Sequence, residues 1–164
     1  KLIAAGRDFP AIVVSPQAPT GDWWTNRTRD LLALLDDLVE RFNVDEDRVY
    51  VTGLSMGGYG TWALLQTDAA RFAAAIPICG GGNPVLGRGR ALRATPIWAF
   101  HGDADRVVPL EQSQMMIDAL EAAGGTQAKL TVYPGVDHDS WTQTYDNPEV
   151  WDWLFRQRRE PGGR

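Results

Sequence analysis
Apolar positions fall into two alternating patterns, short continuous runs and longer stretches with helical spacing. Residues 11–15, 48–52, 74–79, 96–100 and 129–133 are the short runs, rich in Val, Ile, Tyr and Phe. Runs of that length, bounded by Gly, Pro, Asn and Asp, predict strands. Between them, residues 27–42 place Leu31, Leu34, Leu35, Leu38 and Phe42 on one stripe of a helix. A second helix is predicted over 56–67. A third spans 109–123, opened by Pro109 in its first turn and stopped by Gly124 and Gly125. Asn147, Pro148 and Glu149 cap a last helix that buries Val150, Trp151, Leu154 and Phe155. Alternating strands and helices predict an α/β fold, a three-layer α/β/α sandwich around a mostly parallel sheet of about five strands. Residues 1–164 form one domain, without repeats or low-complexity segments.

Composition narrows the partners. The chain has 164 residues, 44% apolar and 23% charged, enough for a real core. Its net charge of −5 and lack of a Lys/Arg cluster argue against nucleic acid. The one basic run, at residues 156–159, suits the C-terminal dipole of the last helix. A single cysteine, Cys79, excludes an intrachain disulfide and reads as a buried structural thiol. It is compatible with the cytoplasm and with export alike. No apolar stretch reaches membrane-spanning length and no signal peptide stands out. Lys1 does not look like a natural start, because a methionine is missing. His101, His138 and Cys79 lie far apart in the chain, so no metal site and no cofactor is expected.

The chemistry sits at Gly53-Leu54-Ser55-Met56-Gly57. Strand, Gly-x-Ser-x-Gly, helix is the context of a nucleophile elbow, in which a sharp turn lifts the serine above the sheet. The two glycines are expected to leave room around it. A serine hydroxyl needs a base, and the base needs an orienting carboxylate. His138, just past the run 129–133, fits the base. His101 ends the run 96–100, and its ring is expected to hydrogen-bond beneath the acid loop. Asp103 and Asp105 compete for the acid. Asp105 is favoured because it lies further from the strand end, leaving Asp103 to brace the loop. Asp137 and Asp139 read as solvated loop charge. The Met56 N–H is one oxyanion donor. All these positions follow strand C-termini, where open α/β sheets bind ligands. Gln17, Trp23 and Trp24 lie on a loop at the same end and are candidate pocket residues, while Trp141 packs under the histidine loop.

With these motifs the chain resembles the carboxylesterase branch of the α/β-hydrolases. It is similar to predicted peptidases and phospholipase/carboxylesterase-like proteins, near the feruloyl and polyhydroxyalkanoate esterases. The resemblance rests on Val13-Val14-Ser15-Pro16-Gln17 with Trp23-Trp24, on the serine motif with Gly58, and on Pro77-Ile78-Cys79-Gly80-Gly81-Gly82. His101-Gly102-Asp103-Ala104-Asp105 with Val107-Val108-Pro109, His138-Asp139-Ser140-Trp141 and Trp153-Leu154 complete it. It implies a Ser55–Asp105–His138 triad and a serine hydrolase cleaving small carboxylic esters through an acyl-enzyme. An acyl thioesterase, a peptidase, and a truncated non-catalytic binding or oligomerisation module are the alternatives.

Members of this branch carry strands before the segment matched here, and a His-Gly-x-Gly loop that donates a second oxyanion N–H. The resemblance thus implies a truncated α/β-hydrolase fold. Either the run 11–15 closes up against 48–52, giving five strands in sequential order, or another chain fills the gap. The loop at Gln17-Ala18 is the candidate replacement donor. One sheet face is then expected to be undercovered, favouring a homodimer.

Overall fold
The computed structural model describes residue 6, residues 8–86 and residues 89–159. Four strands, β1 (Tyr50–Leu54), β2 (Ala74–Ile78), β3 (Ile97–Gly102) and β4 (Ala128–Tyr133), form one sheet in the order β1-β2-β3-β4. Every pairing is parallel, with Tyr50 opposite Ala74, Ala75 opposite Ile97 and Ile97 opposite Ala128. The helices are α1 (Thr28–Arg41), α2 (Met56–Asp68), α3 (Arg90–Ala94), α4 (Glu111–Ala122), α5 (Trp141–Asp146) and α6 (Pro148–Arg156).

A sequential parallel sheet with crossovers of one hand must place its connecting helices on one face. The side chains obey this. Val49, Val51, Ala75, Ile97, Ala99 and Leu130 pack with Trp62 and Leu65 of α2, Leu92 of α3, and Met116 and Leu120 of α4. Leu31, Leu32 and Leu35 of α1 join the same cluster. The alternate strand positions Tyr50, Leu54, Ala74, Ile76, Ile78, Trp98 and Phe100 face Trp141 and Tyr145 of α5 and Val150, Trp151 and Leu154 of α6. The strand period of two thus feeds two apolar layers. Strand β2, inside the sheet, is buried at every position, whereas the edge strand β1 is only half-buried.

Three expectations are corrected. The run 11–15 is not a strand. It takes no place in the sheet, and Ile12, Val13 and Val14 are 60, 51 and 44% exposed. β-propensity reflects packing against neighbours more than an intrinsic backbone preference, and this run has no cross-strand neighbour. The sheet therefore has four strands, and closure of 11–15 onto β1 does not occur. A bare sheet face is not seen either. Of the large exposed apolar side chains among the described residues, just Val132 of β4, at 36%, lies on a strand. Phe42, assigned to the buried stripe, is 47% exposed because α1 ends at Arg41 and Phe42 is already extended. The helices α3 and α5 escaped prediction, being too short for a periodic signal. Among the described residues, no helix is long and apolar enough to cross a membrane.

Candidate active site
Strand β1 ends at Leu54 and α2 begins at Met56, so Ser55 alone makes the turn. Its φ of 52° and ψ of −116° are unfavourable for a residue with a Cβ. Such strain costs on the order of 1–3 kcal/mol and persists only where the surroundings enforce it. The Ser55 N–H donates to the Ile78 carbonyl at 3.0 Å, and the Tyr59 N–H donates to the Ser55 carbonyl at 3.0 Å. The glycines divide their duties differently from the expectation. A Cβ on Gly53 would lie 2.3 Å from the Gly57 carbonyl oxygen, and one on Gly58 would lie 2.4 Å from that of Ile78. A Cβ on Gly57 would meet nothing within 4 Å. Room is therefore made by Gly53 and Gly58. As the first residue of α2, Met56 has an N–H without a partner inside its own helix.

The three segments converge. His138 Nε2 lies 2.8 Å from Ser55 Oγ, and His138 Nδ1 lies 2.8 Å from Asp105 Oδ2. Asp105 Oδ1 accepts from the Val107 and Val108 N–H groups at 2.9 and 2.8 Å. Burial of Asp105 raises its pKa, but the bonds from His138, Val108 and Val107 outweigh that and hold the carboxyl below its ordinary value. Asp105, not Asp103, meets the histidine. Asp103 Oδ1 accepts instead from the Gly135 N–H, tying the β3 and β4 loops together.

His101 sits in this network from below. Its Nδ1 is 2.8 Å from Ser113 Oγ, whose hydroxyl is also 2.8 Å from the Gly80 carbonyl. Its Nε2 is 2.9 Å from the Val108 carbonyl and 3.3 Å from Asp105 Oδ2. Asp105 Oδ2 is thus approached by both imidazoles of the chain. The buried ring under the acid loop was expected; its second reach, to the carboxylate itself, was not.

Asp137 does more than carry solvated charge. It accepts from the Arg106 N–H at 3.0 Å and from Arg106 Nε at 2.8 Å. Arg106, by its backbone N–H and then its guanidinium, draws the Asp137 carboxyl down to about 2. Asp139 accepts from the Thr142 N–H and Oγ1, both at 3.0 Å, at the start of α5. Trp141 meets the His138 ring edge-on at 5.3 Å. Cys79 is the buried thiol expected, but distance along the chain misled as to its neighbours. Cys79, with φ of 40°, brings its Sγ within 4.8 Å of the ligand atoms of Asp105 and His138. Burial pushes that thiol up to about 11, and the His138 nitrogens are engaged with Ser55 and Asp105. A neutral thiol and an occupied imidazole make this a poor cradle for a metal as it stands.

Of the candidate pocket residues, Trp23 comes nearest. It is 53% exposed and meets Tyr59, one turn past Ser55, edge-on at 6.4 Å. Trp24 packs against α2, where a Cβ on Gly60 would lie 2.6 Å from its own Cβ. Gln17 is exposed, and its amide reaches only the Ala18 carbonyl at 3.4 Å. Tyr59 escaped notice because a helical aromatic one turn past a serine carries no motif of its own.

Known proteins share this fold. A solved thermostable esterase superposes with a TM-score of 0.74 at 42% identity, over 80% of this chain and 36% of that one. A bifunctional acetylxylan esterase/xylanase of Neocallimastix patriciarum is 36% identical over 106 residues, which is 62% of this chain and 16% of that protein. A probable feruloyl esterase C of Aspergillus flavus is 26% identical over 138 residues, or 82% of this chain and 50% of that one. The chain thus spans half or less of the length of these relatives. Residues 19–150, from the Trp23 loop to the start of α6, match the family model, and the chain belongs to the dienelactone hydrolase family.

Proposed function
We propose that this chain is a serine hydrolase that cleaves small carboxylic esters through an acyl-enzyme intermediate. The observation that carries the reading is the continuous path from Ser55 Oγ to His138 Nε2 and from His138 Nδ1 to Asp105 Oδ2, with 2.8 Å at each step. Its setting on a strained elbow, and the esterases among the relatives, support it.

In this reading Ser55 Oγ attacks the ester carbonyl carbon and gives its proton to His138 Nε2. Asp105 holds the imidazole with Nδ1–H toward itself and stabilises the imidazolium that forms. The Met56 N–H donates to the developing oxyanion. Collapse of the tetrahedral intermediate breaks the ester C–O bond, and His138 protonates the departing alkoxide. Water, deprotonated by the same nitrogen, then attacks the acyl-enzyme, releases the acid and restores Ser55. Esters are favoured over amides because an alcohol leaves with less help than an amine.

The test is the intact mass of the folded protein after treatment with a fluorophosphonate, with Ser55→Ala alongside. One adduct on the parent and none on the variant is expected. A folded parent that takes no adduct would overturn the reading and leave a non-catalytic binding module.

A further inference from the structure
A groove of about 350 Å³ starts at Tyr59 and runs along α2, lined also by Thr25, Ala63, Gln66, Gly81, Gly82 and Asn83. Tyr59, Ala63 and Gln66 recur at helical spacing, so they form one wall about 10 Å long. The opposite wall is held in place. A Cβ on Gly81 would lie 2.9 Å from Gln112 Cβ, and one on Gly82 would lie 3.0 Å from Trp62 Cβ. The polar groups at the far end are occupied with each other. Gln66 Nε2 donates to the Asn83 carbonyl, Gln66 Oε1 accepts from the Asn83 N–H, and Asn83 Oδ1 accepts from the Val85 N–H. What remains for a ligand is the Tyr59 ring, the Ala63 methyl, Thr25, Gly81 and Gly82, a lining that is mostly apolar.

The groove begins at Tyr59, one helical turn past Ser55. The Tyr59 N–H bonds to the Ser55 carbonyl, and helical side chains lean toward the N-terminus, here toward Ser55. Burial raises the Tyr59 hydroxyl above its ordinary pKa, and Asp105 adds to the rise. Trp23 meets the same Tyr59 ring edge-on.

We infer that this groove binds the apolar chain of the ester, with Tyr59 and Ala63 as the side chains that set its length. The inference rests on the ester-hydrolase reading for its ligand class. A wall of about 10 Å matches a chain of about six to eight carbons. That chain belongs to the acyl or to the alkoxy half of the ester, and the two halves are separable by experiment.

Binding is measured on Ser55→Ala, so that turnover plays no part. One arm uses methyl esters from acetate to octanoate, the other uses acetates of methanol to octanol, and Kd is read from NMR shift changes. Burial of each methylene is expected to tighten binding by about threefold in one arm, up to about six carbons. Ala63→Trp on the same background abolishes that gradient. Where Ala63→Trp does not fold, Ala63→Leu is expected to shorten the gradient and Tyr59→Ala to flatten it. Equal Kd at all lengths in both arms overturns the inference, as does an unchanged gradient in a folded groove-filling variant. A gradient in a protein whose Ser55 takes no fluorophosphonate upholds the groove and overturns only the hydrolase reading.

Discussion

The end of β3 and the loop after β4 each bring one histidine to the same oxygen, Asp105 Oδ2, yet they build different devices. His138, with its side chain 18% exposed, turns its other nitrogen to Ser55 Oγ at the elbow. His101, fully buried, turns its other nitrogen to Ser113 Oγ and shares its Nε2 with the Val108 carbonyl. The rings are chemically identical. What separates them is the partner of the second nitrogen, and whether solvent and substrate reach it. A proton moved at His138 has somewhere to go; the partners of His101 are interior groups. Under the proposed function, the first ring performs chemistry and the second fixes the acid loop.

The comparison breaks most visibly at His138. Replacing it by Ala is expected to lower turnover of an activated ester by about 10⁴-fold or more, with the melting temperature nearly unchanged. Activity close to that of the parent would erase the distinction between the rings. His101→Leu should do the reverse. It strands the Val108 carbonyl in the interior, at a cost of about 1–3 kcal/mol, while Ser113 keeps only the Gly80 carbonyl. Urea unfolding measures that loss, and a variant as stable as the parent would mean the buried network holds nothing.

Acid unfolding sharpens the picture through the carboxylate both rings share. The folded pKa of Asp105 is depressed, so the unfolded chain takes up its proton first. Its contribution is present above the ordinary carboxyl range, about 3.9, and is lost as pH falls through the lower folded value. Asp105→Asn should therefore flatten the stability curve below about pH 4. A slope identical to that of the parent would contradict this. The smallest effect concerns the neighbouring thiol. With its folded pKa raised to about 11, the Cys79 contribution is intact below the ordinary thiol value and fades as pH rises toward the folded one. A disulfide reagent at pH 8 should modify Cys79 only after denaturant is added, and rapid labelling of the native chain would contradict its burial.

Much of this was legible in the chain. The elbow was, because Gly53 and Ser55 announce a turn too tight for other residues. So were Asp105 and His138, whose offsets past β3 and β4 leave few other candidates. The four sheet strands read correctly because each packs apolar residues against a covering layer; β2 and most of β3 are buried on both faces, while the edge strands β1 and β4 are only partly buried. Residues 11–15 carry the same signal without a neighbour to pair with, and a single sequence does not show who pairs with whom. The Arg106–Asp137 pair and the approach of Cys79 to His138 were invisible for the same reason. They join loops that meet only after the sheet has formed. The division of labour between Gly53 and Gly57 was misread because a motif names positions, and contacts decide which of them is tight.

The strict order β1-β2-β3-β4 also bears on how the molecule comes into being. Each strand finds its partner in the next one made, about 20 to 30 residues on, and none has to be threaded between two already joined. A chain leaving the ribosome can add strands in the order of their synthesis. The Ser55 turn is complete once β2 has docked, since its N–H needs only the Ile78 carbonyl. His138 arrives after the last strand. Under the proposed function, the nucleophile thus waits without its base during synthesis, and reactivity switches on only when the sheet is finished.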